Sequence, residues 1–158
     1  MKNFDINSLL LPIFSFSIAF FMSGLQSAFA DKQDFGDITV HYSAFGSDFL
    51  SPEVSKQYGI RRSDKKGVLN ISVLKKSMES GERTPITASV TGELRNVQSA
   101  QQITELDFTE VQEGSAIYYL STFDFGHRDD LNFKVIVKTD TDEYEHTVKF
   151  SKKLYHKK

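Results

Sequence analysis

Cysteine is absent from this chain, and its absence excludes disulfides and thiol nucleophiles together. It also excludes a bacterial lipoprotein, which needs a cysteine at its processed N-terminus to carry the lipid. Stability therefore has to come from packing and backbone pairing. Charge of one sign is missing as well. The formal net charge is −2, so no strong field attracts nucleic acid or another polyanion. There is no Gly-x-Ser-x-Gly elbow, no His-Glu-x-x-His helix and no glycine loop able to cradle a phosphate. Internal repeats, low-complexity runs and interdomain linkers are lacking too. The longest apolar run, residues 9–22, has fourteen residues, fewer than the roughly 17 to 25 that a membrane-spanning helix needs.

That run lies in a segment with the layout of an export leader. Lys2 opens it, the apolar stretch follows, and Gly24 and the small-residue pattern Ala28-Phe29-Ala30 close it. The sequence predicts a signal peptide over residues 1–30, cleaved after Ala30. No stable membrane anchor is then left after processing. Residues 31–158 have the length of one domain. Six of the fourteen Phe residues leave with the leader, so one small core is expected and a second is not.

Period-two patterning dominates the remainder. Residues 38–44 alternate strictly, with Ile38, Val40, Tyr42 and Ala44 on one face and Thr39, His41 and Ser43 on the other. In residues 49–59, Ser51 suits a helix cap, Pro52 the first helical position, Glu53 the positive end and Gly59 the stop, which predicts one or two helical turns. After a charged turn at 61–67, Leu69, Ile71 and Val73 define a second strand. Residues 86–94 define a third, with Pro85 at its start. Residues 103–111 slip out of phase, as a bulge or short strand would. Residues 116–125 carry large apolar groups on both faces, the mark of a central strand. The last two runs, 131–138 and 144–150, form a hairpin about a polar turn. Only the tail, 151–158, reads as loosely held. About seven strands and one short helix predict an all-β fold, an immunoglobulin-like antiparallel β-sandwich.

The chemistry-bearing residues are sparse. Four histidines stand at 41, 127, 146 and 156. His146 falls in the apolar phase between Tyr144 and Val148, which favours a sheet-face histidine satisfied by a hydrogen bond over a ligand. Asp140, Asp142 and Glu143 lack the glycine and distant glutamate of a calcium loop. No metal site and no cofactor are expected. The loop His127-Arg128-Asp129-Asp130 gathers an imidazole and two carboxylates, the material for acid–base work, although charged connectors between strands are the rule. Basic residues cluster at Arg61, Arg62, Lys65 and Lys66, and again at Lys152, Lys153, Lys157 and Lys158. Either cluster suits anionic lipid head groups or an acidic partner, and equally a solvated surface.

The runs His41-Tyr42-Ser43-Ala44-Phe45, Phe49-Leu50-Ser51-Pro52-Glu53-Val54, Tyr58-Gly59-Ile60-Arg61-Arg62-Ser63 and Gly67-Val68-Leu69-Asn70-Ile71-Ser72-Val73 resemble a bacterial family known as domain of unknown function 4426. Its members are exported proteins of gammaproteobacteria. The resemblance implies a periplasmic location and a small β-rich fold, and it carries over no catalytic residues. Within these runs Tyr58, Arg61, Arg62, Ser63 and Asn70 concentrate polar groups at one strand connection and form the candidate binding set. Arg62 is read first as a structural residue, buried against a carboxylate to pin the helix to the sheet. The expected function is a soluble, non-enzymatic binding or adaptor module of the cell envelope, with an envelope protein as partner. The alternative is a small hydrolase or isomerase using His127 with Asp129 or Asp130, assisted by His41.

Overall fold

The computed structural model describes residues 30–99, 102–140 and 142–156. The predicted leader lies outside them except for Ala30. Ten strands occur among the described residues: β1 (Asp31–Phe35), β2 (Ile38–Gly46), β3 (Lys66–Lys76), β4 (Arg83–Pro85), β5 (Ala88–Asn96), β6 (Ile103–Leu106), β7 (Thr109–Glu113), β8 (Ala116–Asp124), β9 (Asp129–Thr139) and β10 (His146–Leu154). They form two antiparallel sheets. The first runs β1-β2-β3-β8-β7, with β4 following β8 along the same edge of β3, and the second runs β10-β9-β5-β6. One helix, α1 (Pro52–Gln57), lies between β2 and β3.

The alternation read from sequence places the core. Ile38, Val40 and Ala44 of β2, Leu69, Ile71 and Val73 of β3, and Tyr119 and Phe123 of β8 face Leu131, Phe133, Val135 and Val137 of β9 across the sandwich. Gly67 allows a close approach, since a Cβ there would collide with the Phe123 ring. Strand β8 is central, as its two apolar faces predicted, between β3 and β7. The closing hairpin pairs β9 with β10. His146 is half-buried, with its Nε2 2.6 Å from Asp142 Oδ2 and its ring 4.7 Å from that of Phe35. That hydrogen bond holds the Asp142 carboxyl below the usual carboxylate range.

Where the structure differs from the reading, the chain changes sheets. The third strand expected over 86–94 is β5, displaced by two residues, with Ile86, Ala88, Val90 and Leu94 on the core as their phase predicted. A short strand, β4, precedes it in the other sheet. Pro85 ends β4 in the first sheet, residues 86–87 cross over, and β5 begins in the second. The out-of-phase stretch 103–111 is two strands, β6 in the second sheet and β7 in the first, with Asp107 and Phe108 between. A change of sheet resets which side faces the core, so the period breaks without any bulge. Strand β1 was not anticipated. Its sequence DKQDF has one large apolar residue, and backbone pairing with β2 defines it. The tail is not loose through residue 154, because Leu154 completes β10 and is buried in the main core.

The expectation of a single core is also corrected. A second, smaller apolar cluster of Leu50, Ile60, Val68, Tyr118 and Leu120 sits on the outer face of the first sheet. The second apolar faces of β3 and β8 have to be covered, and α1 with its flanking residues covers them.

One polar tie joins the two sheets where the chain crosses between them. The buried Tyr119 hydroxyl accepts from the Ala88 backbone N–H at 2.7 Å and donates to Glu110 Oε2 at 3.0 Å. Burial raises the Tyr119 pKa, and the Glu110 carboxylate adds to the rise. Tyr119→Phe strands the Ala88 N–H and is expected to cost about 1–3 kcal/mol. Urea unfolding of both proteins measures it, with the midpoint lowered and the slope unchanged.

Candidate functional site

The connection between β2 and β3 is built from short-range hydrogen bonds. Ser51 caps α1, accepting from the Val54 N–H at 3.2 Å, and Pro52 opens the helix as predicted. Gly59, at φ 64°, ends it by turning left-handed. Ser55 and Ile60 then grip each other: the Ser55 hydroxyl donates to the Ile60 carbonyl at 2.6 Å, and the Ile60 N–H donates to the Ser55 carbonyl at 2.9 Å. This holds Ile60 down on the sheet, and Leu50 does the same before the helix.

Beyond Ile60 the chain is pinned by one buried hydroxyl. Ser47, fully buried in the 3-10 turn Ser47–Phe49, accepts from the Ser63 N–H at 2.9 Å. Its hydroxyl lies within donating distance of the Arg61 carbonyl (3.0 Å) and the Ser63 carbonyl (3.1 Å). Arg62 reaches back to donate to the Asp48 carbonyl at 3.0 Å.

A helix of six residues is about 9 Å long, shorter than the apolar sheet face beneath it. The remainder is left as a cleft of about 570 Å³. Phe45, Val68 and Leu120 floor it, and Val54 and Tyr58 of α1 overhang it. At its far end Ser43 and Asn70 stand opposite each other in the β2–β3 register. Asn70 is 8% exposed, and its Oδ1 is buried with no hydrogen-bond donor among the described residues. Such an orphaned acceptor costs about 1–3 kcal/mol unless something donates to it.

The cleft continues around the end of β2. Pairing with β1 stops at Tyr42, so the next four residues, Ser43, Ala44, Phe45 and Gly46, all line the opening. On their inner side it is bounded by Phe125 and Leu154, and Arg62, Lys152 and Lys153 stand around it with Asp48. Lys153 is paired with Asp130 at 3.1 Å, whereas Lys152 has no ion-pair partner among the described residues.

Of the five residues chosen from sequence, Tyr58, Arg62 and Asn70 line this cleft. Arg61 and Ser63 do not; their backbone groups build its wall through Ser47. Arg62 is exposed and bonded to a carbonyl, which corrects its reading as a buried partner of a carboxylate. The two basic clusters, distant in sequence, meet here through Arg62 and Lys152. Sequence reasoning missed Ser43 and Ala44, and it named Lys152 in the C-terminal basic cluster without joining it to this site. A signal for Lys152 was present, since it interrupts the inward phase of Val148, Phe150 and Leu154.

The acid–base loop is not assembled. Asp129 Oδ2 accepts from the Gly126 N–H at 2.6 Å, and Asp130 pairs with Lys153. The His127 ring packs against Tyr155 and His156, with no carboxylate at hydrogen-bond distance among the described residues. His41 lies elsewhere, opposite Lys32 on β2, with its pKa pushed down by burial. Among the described residues no three His, Cys, Asp or Glu side chains gather as metal ligands would, and no helix is long and apolar enough to cross a membrane.

The fold has solved counterparts. A crystal structure of a DUF4426 family protein from Pseudomonas aeruginosa PAO1 is 32% identical, with a TM-score of 0.68 over 82% of this chain and 97% of that one. Two structures of FetP from uropathogenic Escherichia coli strain F11 share the fold at 10% identity. One, a copper-bound variant with glutamine in place of a glutamate, has a TM-score of 0.58, covering 81% of this chain and 97% of that one. The as-isolated protein, expressed in the periplasm, has 0.56, covering 81% and 95%. No curated protein matches the chain. Residues 32–157 match the model of the family described as domain of unknown function (DUF4426), and the chain belongs to that family.

Proposed function

We propose that this protein is an exported, non-enzymatic binding module of the cell envelope, and that it binds in the cleft beneath α1. The observation that carries the reading is Asn70: a buried amide oxygen without a donor, at the end of an apolar cleft whose volume suits a small ligand or a few residues of chain. A side chain that served only packing would have no reason to be polar there. Export rests on the leader and the Ala28-Phe29-Ala30 pattern, and the partner belongs to the envelope for that reason. An enzymatic reading gains nothing from the loop at 127–130, whose carboxylates are engaged elsewhere.

Two measurements test this. Protein recovered from the periplasmic fraction of the native host is expected to have an intact mass beginning at Asp31; a mass that includes Met1 contradicts export with cleavage. The neutral dye N-phenyl-1-naphthylamine is expected to bind the processed protein saturably. Val54→Trp, which fills the cleft from the half-buried face of α1, should weaken it tenfold or more, about 1.4 kcal/mol, with the far-ultraviolet dichroism unchanged. Equal binding by both proteins excludes the cleft as the site.

A further inference from the structure

Resting on the binding reading, we infer that the occupant of the cleft is an extended peptide segment, which adds as a strand to the open end of β2. The backbone hydrogen bonds identify the edge. Lys76 N–H donates to the Asp37 carbonyl, so residues 37 and 76 form a hydrogen-bonded pair. In an antiparallel ladder such pairs alternate. Counting along the register, Thr39, His41, Ser43 and Phe45 bond to β3, and Ile38, Val40, Tyr42, Ala44 and Gly46 direct their N–H and C=O groups to the other side. Strand β1 takes up the first three of these and ends opposite Tyr42. Ala44 is next. It is 4% exposed, lines the cleft, and has no strand beside it on that edge among the described residues.

A buried N–H and C=O pair directed into a cleft asks for a partner that offers both groups in strand spacing, which a peptide backbone does. An acyl chain offers neither. The walls fit the same occupant. Successive side chains of an added strand point to opposite faces. One set would enter the lobe outside the sheet, floored by Phe45 and Val68, and the other the lobe between the sheets, bounded by Phe125 and Leu154. Four residues of β2 are open, about 13 Å of strand. Asn70 Oδ1 lies on the outer lobe, for a donor on the incoming segment.

Charge sets the remaining chemistry. Tyr42 stacks on Phe150 at 4.5 Å, and two residues farther along each strand stand Ala44 and Lys152. Lys152 is half-buried and Arg62 stands at the opening, against Asp48 alone on the acidic side. The segment is therefore apolar with at least one carboxylate.

The probe is a pool of acetylated six-residue peptides, apolar at alternate positions and carrying one glutamate, applied to the processed protein. Three comparisons accompany it: the same pool with alternate backbone nitrogens methylated, a pool with glutamine for glutamate, and oleate. Native protein is expected to retain members of the first pool, to lose them on methylation, and to favour glutamate over glutamine. Lys152→Met should abolish that last preference. Ala44→Pro removes an N–H that β3 does not use and should weaken retention about tenfold. Should that variant not fold, the methylated pool and Lys152→Met still decide the matter. Equal retention of the methylated pool, or no preference for glutamate, overturns the inference. So does binding of oleate and dye but no peptide, which leaves the binding reading standing. Failure of dye, oleate and peptides alike removes both.

Discussion

A sheet whose central strands are apolar on both faces has to be covered twice, and this requirement governs the molecule. Strands β3 and β8 turn Leu69, Ile71 and Tyr119 toward the second sheet while Val68, Tyr118 and Leu120 face the other way. The second sheet covers the first set along the length of its strands. The other set receives a helix of six residues, held by Leu50 and Ile60 at its flanks and by Ser47 beneath the following loop. That roof is too short, and the cleft is what it leaves uncovered. The same shortfall occurs at the edge, where β1 stops at Tyr42 and β2 continues to Gly46.

The polar groups at this place follow from the same geometry. Asn70 stands on the buried outer face of β3, opposite Ser43 and Leu120, where an aliphatic residue would pack without an unmet hydrogen bond. Lys152 points inward on β10, an edge strand of the second sheet. An inward charge on an edge strand discourages unwanted pairing there, and here it also supplies a cation to the cleft. Ala44, Asn70 and Lys152 come from three strands, and the sandwich brings them to one opening.

Much of the fold was legible in the sequence because period-two patterning survives wherever a strand stays in one sheet. Residues 38–44, 116–125 and the final hairpin occupy the faces they were assigned, except Tyr144, which precedes β10 and is exposed. The helix was legible from Ser51, Pro52 and Gly59, each with a local conformational role. The reading failed at 107–108, where the chain passes between sheets and the phase resets, and it missed β4, whose three residues carry no alternation to read. It failed at β1, which is defined by pairing and hardly by side chains. The second core was missed because an apolar residue on the outer face of a strand looks like surface until a covering element is known. Of the site, Tyr58, Arg62 and Asn70 were found by their clustering at one connection. The open edge of β2 was not, because a free backbone group depends on where a neighbouring strand ends, and no side chain records that.

Amide hydrogen exchange, read residue by residue along the end of β2 in the processed, unliganded protein, distinguishes an open edge from a paired one. Phe45, half-buried and bonded to β3, is expected to exchange slowly. Ala44, more deeply buried but facing the open edge, is expected to exchange much faster. Equal, strong protection at both would mean that the edge is already paired and that the cleft does not exist as described.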